Sequence, residues 1–284
     1  MPFDHILFPT DFSARSHAMI PTVEDLARRF SARVTILHVF ESPLYAEIAY
    51  EMLEMDAIRR VAGRQLEAFA AGGFSGCTVT RVMREGRSAG MIVEAAAEGK
   101  ANLITMPTAG YTRFRELLLG SVTTSVLHDT ETPVFTSAHT EDVMLETPDY
   151  QRILCAVDLS PASVAVLRQA RELATHWGST LTVVHAVPAV NEIFASGASD
   201  SAHRYLCEKA RAEYPVIAAA AQVSEPLEIV EEPGSTADGI VAAVGHAQAS
   251  LVVAGRGQAR GVLGRLRTNI HELIRKSPVP VISV

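Results

Sequence analysis

Tryptophan occurs once in these 284 residues and cysteine three times, and aromatic residues make up only 6% of the chain. Cys77, Cys155 and Cys207 are scattered and form no CxxC pair, so an odd count of this kind fits a reducing compartment rather than a disulfide framework. No apolar run approaches the ~20 residues that a bilayer-spanning helix needs. Met1 to Thr10 holds neither a basic leader nor a cleavable apolar segment. A basic excess is missing too: the formal charge is -7, which weighs against a nucleic-acid partner. The expectation is a cytoplasmic protein with no membrane and no nucleic acid among its partners. Catalytic signatures are equally scarce, with no Walker A loop, no HExxH and no GxSxG elbow, and no nucleophile set beside a base. A dedicated enzyme is not expected; slow turnover of a bound ligand is the most that the residues allow.

What the chain does have is 48% hydrophobic content, enough to build cores, and a length suited to two domains at roughly 150 residues each. It also repeats. His5-Ile-Leu-Phe-Pro-Thr-Asp11-Phe-Ser13 returns as Arg152-Ile-Leu-Cys-Ala-Val-Asp158-Leu-Ser160. Val34-Thr-Ile-Leu-His38-Val39 returns as Leu181-Thr-Val-Val-His185-Ala186, and Thr132-Pro133-Val134-Phe135 as Val279-Pro280-Val281-Ile282. All three pairs stand 147 residues apart, so one domain is present twice, over 1–140 and 150–284. The joint near Ala138 to Asp149 is polar and acidic, as suits a linker.

Within each copy, short β-branched runs alternate with helical patterns. In the first, strands are expected over 5–9, 34–39, 78–83, 103–106 and 134–137, with helices over 14–30, 50–71, 88–98 and 121–129. In the second, strands are expected over 153–157, 181–187, 227–231, 251–255 and 280–283. Parallel strands need crossover helices, and runs such as Val34-Thr-Ile-Leu are apolar throughout, as in strands covered on both faces. The fold class is α/β: two tandem doubly wound domains, each a parallel sheet flanked by helices.

Ligands of such sheets bind beyond the carboxyl ends of the strands, where strand order reverses. Pro9-Thr10-Asp11 follows the first strand. Met106-Pro107-Thr108-Ala109-Gly110 follows the fourth, and nine residues later Gly120-Ser121-Val122-Thr123 opens a helix. Gly120 permits close backbone approach, the helix start favours an anion, and Asp11 can accept from ribose hydroxyls. Together they outline a mononucleotide pocket. Plainer readings stand beside this one. Asp11 with Ser13 equally makes a helix cap, and Gly120-Ser121 is a common entry to a helix. His38 and His185, inside apolar strands, read as core histidines with satisfied rings rather than metal ligands.

The stretch from Asn102 to Thr123 resembles the signature of the universal stress protein family, whose nucleotide-binding members carry Gly, two residues, Gly, nine residues, then Gly followed by Ser or Thr. Gly110, the nine residues Tyr111 to Leu119, and Gly120-Ser121 fit this pattern. The resemblance extends over both copies. It implies five strands in the order 3-2-1-4-5 in each domain, and ATP or a related adenine nucleotide, with or without magnesium, in the N-terminal copy. The positions matching the family's adenine and ribose contacts are Pro9, Thr10, Asp11 and Val39. Those matching its ribose and phosphate contacts are Met106, Gly110, Gly120, Ser121, Val122 and Thr123. Members commonly dimerise along the last strand, which implies an intramolecular pseudo-dimer through the strands around Val134 and Val281, or a homodimer of tandem chains. Its protein partners are unknown. The implied role is a stress-response regulator.

There are departures. Pro107 stands where the family's first glycine belongs, and it has neither an N–H nor a free φ. Asn102 replaces an acidic residue, with only a minor structural effect expected. In the second copy Gly255 is kept, but Gln258 and Thr268 replace the next two glycines and Asn269 the serine. That half is expected not to bind ATP in the family manner. Arg256, Arg260, Arg265, Arg267, Arg275 and Lys276 gather there against Glu272 alone, either an anion site or a solvated basic face. The alternative to a nucleotide binder is an interaction scaffold with a degenerate pocket.

Overall fold

Strands that are apolar throughout and alternate with amphipathic helices cover both faces of a parallel sheet, and the computed structural model shows this twice. It describes residues 3–41, 49–108, 119–138, 149–188, 198–232, 235–256 and 266–284. The chain divides into a first unit built on Met1–Ser137 and a second built on Asp149–Val284.

The first unit runs β1 (His5–Pro9), α1 (Ala14–Ala18), α2 (Ile20–Phe30), β2 (Arg33–Phe40), α3 (Ala49–Ala68), β3 (Val79–Glu85), α4 (Ser88–Gly99), β4 (Leu103–Met106), α5 (Ser121–Asp129) and β5 (Val134–Thr136). Its strand order is β3-β2-β1-β4-β5, parallel throughout. β1, β4 and β5 are buried along their whole length, whereas β3, at the edge, alternates between half-buried and exposed positions. The second unit runs β6 (Arg152–Ala156), α6 (Ser163–Trp177), β7 (Thr180–Pro188), α7 (Ala198–Ala221), β8 (Leu227–Glu232), α8 (Thr236–Ala247), β9 (Leu251–Ala254), α9 (Leu266–Lys276) and β10 (Val281–Ser283). Its order, β8-β7-β6-β9-β10, is the same arrangement. The doubly wound α/β class and the order 3-2-1-4-5 are therefore both present. The expected joint falls at 139–148, outside the described residues. Among the described residues no helix is long and apolar enough to cross a membrane.

Local chemistry explains where elements begin and end. The single helix expected over 14–30 is two, α1 and α2, separated at Met19. Pro21 lies in the first turn of α2 and has no N–H to continue the ladder of α1. Ser13 caps α1 by accepting from the Ser16 amide at 3.2 Å. Asn102 does more than its predecessor position suggests. Its Oδ1 accepts from the amides of Asp4 and His5, both at 3.1 Å, while Nδ2 donates to Asp4 Oδ1 at 2.7 Å. An aspartate could accept from those amides but could not donate to Asp4, so the amide ties the starts of β1 and β4 from both sides.

The core of the first unit packs Phe3 edge-on against Phe30, with centroids 5.1 Å apart at 85°, and both rings are fully buried. Phe8 meets Phe69 at 5.8 Å. Truncating such a ring removes its transfer free energy and leaves a cavity. Phe30→Ala is expected to cost about 3–5 kcal/mol, read as a lowered urea midpoint by circular dichroism.

Candidate functional site

β1 lies between β2 and β4, so the segments after β1 and β4 leave the same end of the sheet at the point where strand order reverses. A cavity of about 290 Å³ opens there, at the small end of the range for ligand pockets. Pro9, Thr10, Asp11, Val39, Met106, Gly120, Ser121, Val122 and Thr123 all line it. Every candidate residue of the sequence is thus brought together except Gly110, which lies outside the described residues. Leu37, His38, Ser16, Ser88, Ile92 and Pro107 complete the lining. Of these, Ser16, Leu37, Ser88 and Ile92 were not anticipated. The sequence held a signal for two of them: the helix at 88–98 begins at the same end of the sheet as the pocket, and positions 88 and 92 share a face.

The segment after β1 is a tight turn. Asp11 Oδ1 accepts from the Ser13 amide at 3.0 Å and from the Ser16 hydroxyl at 2.7 Å. Thr10 Oγ1 accepts from the Phe12 amide at 3.0 Å, and Phe12 itself is left-handed at φ 60°. That conformation costs a bulky residue energy and sets the Phe12 ring on His38, 4.2 Å between centroids and 26° from parallel. His38 Nδ1 donates to the Thr10 carbonyl at 2.9 Å, so the ring is satisfied, as expected of a core histidine, while also facing the cavity. Withdrawal from water pushes the Asp11 carboxyl up, but bonds from the Ser13 and Ser16 hydroxyls and the Ser13 amide outweigh it, leaving its pKa below the usual 3.8. Asp11 is therefore an anion at the wall of the cavity. Ser13 supplies the cap itself, while Asp11 closes the turn before it and lines the cavity.

On the other side, Gly120 precedes α5 without a side chain to cap it. The amides of the first helical turn have no intrahelical acceptor and suit an anion. Ser121 is exposed with its hydroxyl available, but Thr123 is not: its Oγ1 donates to the Pro107 carbonyl at 3.1 Å. The Gly120 amide donates to the Thr108 carbonyl at 2.8 Å. These two bonds lace the end of β4 to the start of α5, and Pro107 takes part through its carbonyl, the one polar group its ring leaves it.

The second unit repeats the turn. Asp158 Oδ1 accepts from the Ser160 amide at 3.0 Å and the Ser163 hydroxyl at 2.7 Å, Leu159 is left-handed at φ 60°, and His185 Nδ1 donates to the Val157 carbonyl at 2.8 Å. Gln258 lies outside the described residues, and Thr268 and Asn269 fall in the first turn of α9. Of the basic cluster, Arg260 and Arg265 are outside the described residues, as is the side chain of Arg267. The others are engaged. Arg256 folds back to donate to the Ser283 carbonyl at 3.0 Å, and burial lowers its pKa to about 10. Arg275 meets Glu272 at 4.0 Å, and Lys276 bridges Asp238 at 2.6 Å and Glu272 at 2.7 Å.

A doubly wound sheet with a cavity at its switch point defines a class of α/β pocket proteins; the comparisons narrow it. The universal stress protein family matches residues 2–136 and again 149–284. The chain belongs to that family, in tandem form. Universal stress protein MJ0531 of Methanocaldococcus jannaschii is 32% identical over 143 residues, covering 46% of this chain and 80% of that protein. The crystal structure of a universal stress protein from Archaeoglobus fulgidus superposes with a TM-score of 0.66 at 22% identity, covering 99% of this chain and 95% of that one. A putative universal stress protein from Pseudomonas aeruginosa gives 0.62 at 17%, covering 99% and 93%. At these identities the two structures speak for the fold alone.

Two outcomes follow. Asp11→Ala and Asp158→Ala should each cost about 1 kcal/mol in ligand-free protein, read from urea midpoints, because each removes the same pair of turn bonds. The bond from Lys276, then those from Ser235, lower the pKa of Asp238 from 3.8 to about 2. A depressed folded pKa stabilises above the unfolded value and ceases to as pH falls through the folded one. Asp238→Asn should therefore lower the thermal midpoint at pH 7, and the gap from wild type should close between pH 4 and 2.

Proposed function

We propose that this tandem universal stress protein binds ATP or a related adenine nucleotide in its first unit and acts as a nucleotide-responsive regulator in the stress response. The observation that carries this reading is the cavity at the β1/β4 switch point, lined by the same residues that match the family's nucleotide motif. The donor set suits the ligand. Leu37, Val39, Ile92 and Met106 offer an apolar seat for a base, Asp11 Oδ2 an acceptor for ribose hydroxyls, and Ser121 with the first amides of α5 an anion site. Pro107 is compatible with this arrangement, since its carbonyl holds Thr123 and the anion donors come from α5. The second unit, with its phosphate loop replaced, serves as a structural partner.

A second reading, an interaction scaffold without nucleotide, draws on Pro107 lining the cavity where the family has glycine. Native mass spectrometry of the purified chain, followed by calorimetric titration with ATP, separates the two. One adenine nucleotide per chain is expected, with affinity lost in Gly120→Val, which puts a side chain at the wall that the phosphates would approach. No bound nucleotide and no heat in wild type, with binding gained in Pro107→Gly, would establish the scaffold.

A further inference from the structure

Thr10 and Asp11 line the cavity, and the chain that carries them is tied down at several atoms. The Thr10 amide donates to the Leu37 carbonyl at 2.8 Å, and the Thr10 carbonyl accepts from His38 Nδ1 at 2.9 Å. Both ties recur in the second unit. There the Val157 amide donates to the Val184 carbonyl at 3.0 Å, and the Val157 carbonyl accepts from His185 Nδ1 at 2.8 Å. Two others do not recur. Thr10 Oγ1 accepts from the Phe12 amide at 3.0 Å, and the Phe12 ring lies on His38; at the matching positions Val157 has no hydroxyl and Leu159 no ring. Leu159 nevertheless takes the same left-handed φ of 60° as Phe12, so the turn forms without either tie. The start of α4, which also lines the cavity, differs in the same way. Arg87 makes no side-chain cap, and the Ser88 amide donates instead to Glu41 Oε1 at 2.8 Å, just past β2. In the second unit Ser235 and Asp238 close α8 with a reciprocal capping box.

Phe12 does not itself line the cavity. Its ring stands between His38, which does, and the buried Phe69, with centroids 4.2 Å and 5.8 Å away. Backed by Phe69, it fixes the plane of the imidazole and, through the Nδ1 bond, the Thr10 carbonyl. We infer that Phe12 is a positioning residue of the nucleotide site: its ring holds the wall made by Thr10, Asp11 and His38 in the ligand-ready arrangement before a ligand arrives. A site whose competent arrangement is populated only in part binds with its affinity reduced by that fraction. The left-handed turn is costly for a side chain to hold, and the stacked ring keeps it from relaxing. This inference rests on the nucleotide reading above and adds to it a residue outside the lining.

Calorimetric titration of the full chain with ATP tests it, in wild type, Phe12→Leu, Phe12→Met and Phe12→Tyr, with urea midpoints taken on the ligand-free proteins. Leucine is what the second unit carries in this conformation, so Phe12→Leu is expected to fold. Phe12→Leu and Phe12→Met remove the ring and keep apolar bulk; each should weaken ATP by about three- to tenfold, the shift in population that one aromatic contact can hold. Phe12→Tyr keeps the ring face and should bind as wild type does. A merely structural role would lower the urea midpoint and leave the affinity alone. Unchanged ATP affinity in Phe12→Leu and Phe12→Met, or an equal loss in Phe12→Tyr, overturns the assignment and leaves the nucleotide reading standing. No binding of ATP to wild type overturns that reading and this assignment with it.

Discussion

A strand with parallel neighbours on both sides must send its outgoing chain away from the same edge as theirs. β1, held between β2 and β4 from Ile6 and Leu7 outward, imposes this on the first unit. The chain after β1 turns toward one face of the sheet and the chain after β4 toward the other, leaving a gap that no strand-to-strand connection fills. α4 and α5 then begin at that same edge, so their first turns stand where the gap opens. The cavity is a by-product of parallel pairing, and its polar lining comes from turns and helix starts because those are what parallel pairing places there.

The two copies separate what serves the fold from what is particular to one site. The Asp-Ser-Ser turn, the left-handed residue after the aspartate and the histidine bonded to the preceding carbonyl persist in both units with nearly the same distances. A feature kept where Gln258, Thr268 and Asn269 replace the motif's glycines and serine belongs to the turn itself. The start of the fourth helix has diverged. In the first unit it faces the cavity with a borrowed cap. In the second it is closed by its own box and by Lys276, which also ties in Glu272.

The repeat and the fold class were legible because fully buried parallel strands leave uninterrupted apolar runs, and a duplicated domain writes those runs twice; the strand order came only with the family resemblance. Most of the site was legible too, since topology places it after strands 1 and 4 and the glycine spacing marks the helix start. The break at Met19 was missed because the pattern over 14–30 stays amphipathic across Pro21, which interrupts hydrogen bonding without interrupting periodicity. Thr123 was read as a hydroxyl for a ligand; its bond to Pro107 depends on a carbonyl sixteen positions earlier, and no local pattern reports that. The basic cluster was read against Glu272 alone, without Asp238. Asp238 lies 38 positions from Lys276, on another helix, and only the fold brings them to 2.6 Å.

Glu41 and Ser88 are 47 positions apart, and one is exposed while the other lines the cavity. The start of a cavity-lining helix is thereby anchored by a carboxylate at the protein surface, where sequence drifts most freely. A single surface replacement could loosen that helix start while every cavity residue stayed the same. Lining residues alone would then misjudge how firmly the cavity wall is held, and the surface position after β2 would be the informative one to compare.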